Sequence, residues 1–257
     1  MHCSIAKLGG FGAASLLVAA LFAAPASADG MPSKGGGVPG ITVTGNVGLT
    51  TDYVFRGISQ TNEAAAVQGG VELTYGGLYA GVAASSIESG VGTAEIDLYA
   101  GYKARTGRLL WDFGFIYYGY PHRGVDGPYE NLDFYEIKAG VSTEIQKGLA
   151  VGATVFYSPD VPGFGSSEVV TYEGTIAYAL PQVGVFSPTL SGVLGHVDSD
   201  FKWYDFDYTY WNVGVTFAAN KWSFDVRYWD TDIDPGCNYY LGDITDSRVV
   251  GTVKYSF

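Results

Sequence analysis

From Ile41 to Phe257 the chain alternates apolar and polar residues with a period of two, a pattern that restricts it to β structure. In the first run Ile41, Val43, Val47, Leu49, Tyr53 and Phe55 share one face, and Thr42, Thr44, Asn46, Thr50, Asp52 and Arg56 share the other. The pattern returns at 67–75, 95–103, 109–118, 135–142, 170–178, 211–217, 222–228 and 249–257, with weaker runs near 78–85, 149–158 and 189–197. This spacing predicts about twelve strands of roughly nine to eleven residues, the length at which a tilted strand crosses a bilayer. The connections alternate as well. Short turns are expected at Gly76-Gly77, Thr106-Gly107, 146–148, 181–188 and 219–221, and longer polar loops at 57–64, 86–92, 119–130, 159–168, 198–207 and 231–246. Short connections at one end and long ones at the other are the pattern of an outer-membrane barrel.

The apolar face could fill the core of a soluble sandwich or meet lipid. Three features favour lipid. The polar faces carry charges at mid-strand, among them Glu72, Asp97, Glu136, Lys138, Glu173, Asp225 and Arg227. The apolar faces are capped by Tyr75, Trp111, Tyr117, Trp211, Trp222 and Tyr228, as an interfacial girdle requires. The last alternating run carries the aromatics Tyr255 and Phe257, and closure of a barrel removes the exposed edges that so many strands would otherwise present. Composition narrows the partners. With 26 acidic against 14 basic residues the formal net charge is −12, which disfavours nucleic acid. Beyond the N-terminus there is no apolar run long enough for a spanning helix.

Residues 1–28 read as a signal peptide: Lys7, an apolar stretch from Leu8 to Ala24, and the small-residue site Ala26-Ser27-Ala28. Residues 29–40, DGMPSKGGGVPG, read as a flexible leader, which leaves 41–257 as the barrel. An exported barrel of this kind is expected in a bacterial outer membrane of the Gram-negative type, with both termini periplasmic and its loops among lipopolysaccharide.

The stretch TTDYVFRGISQT (Thr50 to Thr61) resembles the Gcw_chp proteins, a proteobacterial family also called TorF-family porins. Asp52-Tyr53, Arg56-Gly57 and Ser59-Gln60 carry the match, as does VQGGVELTYGGLYAGVAASSI (Val67 to Ile87). The resemblance implies an outer-membrane β-barrel with a transport role. It supplies no catalytic residues, and its porin label rests on fold.

The expected lumen set is Asp52, Arg56, Glu72, Asp97, Glu136, Lys138, Glu173, Asp225 and Arg227, with Glu95, Asp112, Lys103, Arg248 and Lys254 beside them. Asp52 and Arg56, on one face of the first strand, could form a constriction that selects solutes. Ion pairing with a neighbouring strand is the stronger expectation, because unpaired charges in a narrow lumen are costly. Twelve strands enclose a barrel that side chains can largely fill, so a narrow channel or a closed barrel is expected rather than a wide sieve. In the sixth long loop Asp230, Asp232 and Asp234 resemble the start of a calcium loop, but Pro235 and Leu241 stand where that motif needs Gly and Glu. Tyr255 and Phe257 resemble the signal read by the outer-membrane assembly machinery.

These observations favour a channel for small solutes or ions with weak cation selectivity, requiring no cofactor. The alternative is a non-conducting barrel whose acidic loops bind a partner or divalent ions. A barrel enzyme acting on lipid or peptide is the weakest reading, since His122 and His196 stand in no recognisable Ser-His-acid arrangement.

Overall fold

The computed structural model describes residues 40–88, 93–121, 132–162, 166–200, 207–233 and 242–257. Twelve antiparallel strands close into a barrel. They are β1 (Ile41–Thr50), β4 (Ala66–Tyr75), β5 (Leu78–Ser86), β6 (Ala94–Thr106), β7 (Leu109–Gly119), β8 (Phe134–Gln146), β9 (Leu149–Val161), β10 (Ser167–Ala179), β11 (Ser187–Ser199), β12 (Tyr208–Ala219), β13 (Trp222–Thr231) and β14 (Arg248–Ser256). Each pairs with its sequence neighbour, and β1 closes the ring on β14. The remaining two, β2 (Val54–Phe55) and β3 (Ile58–Ser59), form a separate two-stranded hairpin.

The seam is short. Asn46 to Thr50 pair with Ser256 to Thr252, and Gly45 exchanges two backbone hydrogen bonds of 3.0 and 2.9 Å with Phe257. The Phe257 ring lies over Gly45, where a Cβ would come within 2.5 Å of it, so any larger residue there would displace the ring. The tight turns after β4, β6, β8, β10 and β12 share one end of the barrel with the start of β1 and the end of β14.

Period-two alternation sets which side chains face out. Val43, Leu49, Leu98, Ile137, Leu194 and Val226 stand on the outer wall, each exposed. Such a surface suits hydrocarbon and would aggregate in water. Aromatics gather at the tight-turn margin: Trp222 packs on Tyr255 at 4.9 Å, and Tyr255 lies 6.4 Å from Phe257. The inner positions hold the polar and charged partners of the alternation.

The first run departs from its predicted extent. β1 stops at Thr50, and the chain then turns into the lumen. Tyr53 and Phe55, expected on the outer face, are 4% and 8% exposed inside the barrel. Gly57 to Thr61, expected in a polar surface loop, are all buried there. The physical reason is that Tyr53, Phe55 and Ile58 find a large apolar cluster inside, with Ile116, Tyr118, Phe134, Phe156, Val197 and Tyr210 from the wall. Burying each such side chain gains about 1.5–3 kcal/mol.

Candidate functional site

The inner hairpin divides the lumen. Its turn, Phe55-Arg56-Gly57-Ile58, has positive φ at both central residues, 44° and 85°, which is the two-residue turn that matches strand twist. Arg56 pays for that left-handed backbone with about 1–2 kcal/mol of strain. Gly57 is required on two counts. Besides its φ, a Cβ there would lie 2.2 Å from Thr231 Cγ2 and 3.0 Å from Tyr210 Cβ. The hairpin tip therefore presses against the wall formed by β12 and β13.

From that tip Arg56 reaches β8. Its Nη1 donates to Glu136 Oε1 at 2.9 Å and its Nη2 to Glu136 Oε2 at 3.2 Å, a bidentate pair with both side chains buried. The guanidinium lies between the rings of Phe55 and Phe156, at 4.7 and 4.9 Å. Burial alone would lower the Arg56 pKa. Glu136 and, further off, Tyr210 and Glu173 outweigh it, so the pKa rises and the charge is permanent. Tyr118 adds a longer contact to Glu136, at 3.4 Å.

The hairpin is tied elsewhere along its length. Tyr53 donates its hydroxyl to Glu95 on β6 at 2.7 Å, and Tyr120 donates to the other oxygen of the same carboxylate at 2.7 Å. Burial, with Glu95 beside it, pushes the Tyr53 phenol up, so it remains a donor. At the hairpin root Asp52 accepts from Ser59 at 2.6 Å, from Thr61 at 2.8 Å and from Arg248 on β14 at 3.0 Å. Arg248 also meets Glu63 at 3.3 Å. Removing Arg248 would leave the buried Asp52 carboxylate without its cation.

The other half of the lumen, toward the tight turns, is wetter. Lys138 pairs with Asp112 at 2.9 Å, both partly exposed. Tyr79 donates to Asp112 at 2.7 Å, and its ring lies 4.9 Å from Lys103. Arg227 holds Asp225 at 3.1 Å, Asn212 at 2.6 Å and Ser191 at 2.9 Å. Glu72, Glu173, Lys254 and Asp225 are all partly exposed. Glu173 accepts the Tyr210 hydroxyl at the border between the two halves.

The sequence-derived set is thus placed as follows. Asp52, Arg56, Asp97 and Glu136 lie in the filled half, and Glu72, Lys138, Glu173, Asp225 and Arg227 in or bordering the wet half. The alternation predicts Asp52 and Arg56 on one face of the first strand; they do not share a strand, because β1 ends at Thr50 and Arg56 lies in the hairpin turn. They sit at the root and tip of the hairpin, held by different walls. Of the acidic group, Asp230 lies near the end of strand β13 and accepts from the Tyr228 hydroxyl and the Thr231 amide, each at 2.9 Å, and Asp232, just beyond the strand, accepts from the Thr209 amide at 2.6 Å. Asp234 lies outside the described residues, as do His122 and the predicted signal peptide and most of the leader. Among the described residues no group of three His, Cys, Asp or Glu side chains could hold a metal ion. Tyr255 and Phe257 lie at the seam on the outer wall. Sequence reasoning missed Tyr53, Phe55 and Ile58 as hairpin anchors. The Arg56-Gly57 step between two short apolar pairs was the available signal.

A closed twelve-strand antiparallel barrel with an apolar outer wall and a charged lumen is the fold of outer-membrane β-barrel proteins. The chain belongs to the Gcw_chp family, described as bacterial proteins of unknown function, which it matches over residues 34–257. Among solved structures it is similar to the KdgM porin, with 11% identity and a TM-score of 0.55 over 83% of this chain and 99% of that one. A second KdgM structure, in complex with disordered oligogalacturonate, gives 11% identity and a TM-score of 0.54 over 84% and 99%. The NanC porin gives 13% and 0.52 over 84% and 99%. No curated protein matches the sequence.

Proposed function

We propose that the protein is an outer-membrane channel for small cations or small neutral solutes, held shut at its loop end by the inner hairpin. One observation carries this reading. A partly exposed, charged lumen runs from the tight-turn end and stops beneath a hairpin held by side-chain contacts and short loops. Such a closure can move without breaking the barrel ladder. The KdgM complex holds oligogalacturonate, a polyanion. Here Glu72 and Glu173 pair with no cation, and Lys103 and Lys254 with no carboxylate, among the described residues, so the lumen is mixed and it is the acidic excess of the chain, 26 acidic against 14 basic residues, that disfavours a polyanion. Low-dielectric walls focus such a field and enrich cations.

The same reading places a cleaved signal peptide at 1–28 and a leader at 29–40. Both termini are periplasmic, the acidic loops with Asp230, Asp232 and Asp234 lie among lipopolysaccharide, and Tyr255 and Phe257 serve recognition by the assembly machinery. An epitope after Gly124 should then be labelled on intact cells, and one at Gly107 should not. The deciding test replaces Asp52 to Ala65 with a short Gly/Ser linker and records single channels in planar bilayers. The hairpin-free barrel should conduct strongly, with a reversal potential of cationic sign in a salt gradient that shrinks at high salt. The intact barrel should conduct far less. Absence of conductance from the folded hairpin-free barrel would overturn the channel. The dense packing around Arg56 favours a second reading, a permanently closed barrel whose loops bind a partner. It would be supported if only the hairpin-free form ever conducts.

A further inference from the structure

Asp97 is the anomaly of the filled half. It projects inward from β6, is 1% exposed, and neither carboxyl oxygen has a hydrogen-bond partner among the described residues. Asp52, Glu95, Asp112, Glu136, Glu173 and Asp225 each have at least one. The described residues around it offer no charge compensation. Across β5 it faces Ala83, flanked by Gly81 and Ser85. Across β7 it faces Tyr118, and the ionisable groups around it are Glu95 and Tyr99 on its own strand, Tyr118 and Tyr120 on the β7 side, and Tyr53 on the hairpin. The hairpin's cation, Arg56, is committed to Glu136 on β8. A bare carboxylate in such a place costs several kcal/mol, and a second carboxylate two residues away adds repulsion. A proton removes both penalties and needs no additional room.

We infer that Asp97 is a proton-binding site, occupied while the inner hairpin is seated, so that seating the hairpin takes up a proton. The wet half shows the contrast: inward carboxyls there stay partly exposed because nothing covers them. When the hairpin leaves, Asp97 meets water and returns toward the ordinary carboxylate range near about 4. The seated state then binds one more proton than the open state. Its advantage is complete at pH values below that range and falls as pH rises above it, by up to about tenfold in the seated-to-open ratio per pH unit. Alkaline conditions favour opening. This linkage to opening rests on the channel reading above; the proton on Asp97 does not.

The experiment pairs two measurements on the folded, membrane-inserted full barrel. Infrared difference spectra between wild type and Asp97→Asn should show, at pH 7, the carbonyl stretch of a protonated carboxylic acid that the variant lacks. Glu95→Gln should keep that band. Single-channel recording from pH 5 to 9 should show open probability rising with pH in wild type, and a flattened dependence in Asp97→Asn. No Asp97-dependent acid band at pH 7 overturns the proposal whatever the conductance. So does a band that sodium or potassium chloride removes at fixed pH, which would make the site one for a metal cation. A band present in a barrel that never conducts supports the proton site and counts against the channel alone.

Discussion

Glu136 and Lys138 stand two residues apart on the same inner face of β8, yet their ion pairs belong to different environments. Glu136 and Arg56 retain 2% and 4% of their side-chain surface, whereas Lys138 and Asp112 retain 16% and 25%. The first pair is dry and bidentate, and its loss strands a charge. The second sits in water, where screening and side-chain entropy consume most of its gain. One rung of a barrel thus separates a structural lock from an adjustable lining. The cause is the hairpin above rather than the strand that carries both residues.

That contrast can be broken experimentally, and the largest effect should come from Arg56→Ala. Leaving Glu136 buried and unpaired should cost about 3–5 kcal/mol of hairpin seating. Hydrogen exchange at the hairpin amides, measured in detergent or lipid, should accelerate at least a hundredfold while the strand ladder stays protected. Adding Glu136→Ala should recover part of the loss, because the stranded charge is gone. Gly57→Ala should come next, at about 2–4 kcal/mol, from overpacking against Thr231 and strain at positive φ. The same exchange measurement checks it, and an unaltered hairpin would mean that the tip does not press on β12 and β13. Tyr53→Phe removes one of two hydroxyls that Glu95 accepts and should cost about 1–2 kcal/mol. Its signature should appear in exchange at the hairpin and not at β10. Lys138→Ala should be the mildest, at about 0–1 kcal/mol, with a salt-dependent change in conductance and no loosening of the hairpin. Equal loosening by Lys138→Ala and Arg56→Ala would dissolve the distinction between the two halves.

Much of this was legible in the sequence. Strands such as β7 and β13 begin at the residues where the alternation begins, because one face meets lipid and the other water, and a register slip would reverse them. The turns at Gly76, Gly107 and Gly148 fall where the pattern breaks. The hairpin was hidden by the same rule. Asp52, Tyr53, Val54 and Phe55 continue the alternation of β1 without a break, so period two alone extends the strand through them. What bends the chain inward is tertiary: the cavity that Tyr53 and Phe55 fill, the Asp52 contacts with Ser59, Thr61 and Arg248, and the left-handed turn at Arg56-Gly57. For the site, charge and face identified which residues are inside. They could not say that Arg56 reaches Glu136, 80 positions away, or that Asp97 would be left without a donor.

The seam gives the hairpin a place in time as well as in space. β1 meets β14 across some of the largest sequence separations in the molecule: Thr252 donates to Thr50, 202 positions away, and Arg248 holds Asp52, 196 positions away. Contacts of that range carry the full entropy of closing the chain and are slow to form. The residue that roots the hairpin therefore gains its cation only as the ring closes. Because the segment that blocks the lumen hangs from one strand of the seam and is anchored to the other, closing the ring and seating the hairpin share one contact, Asp52 with Arg248.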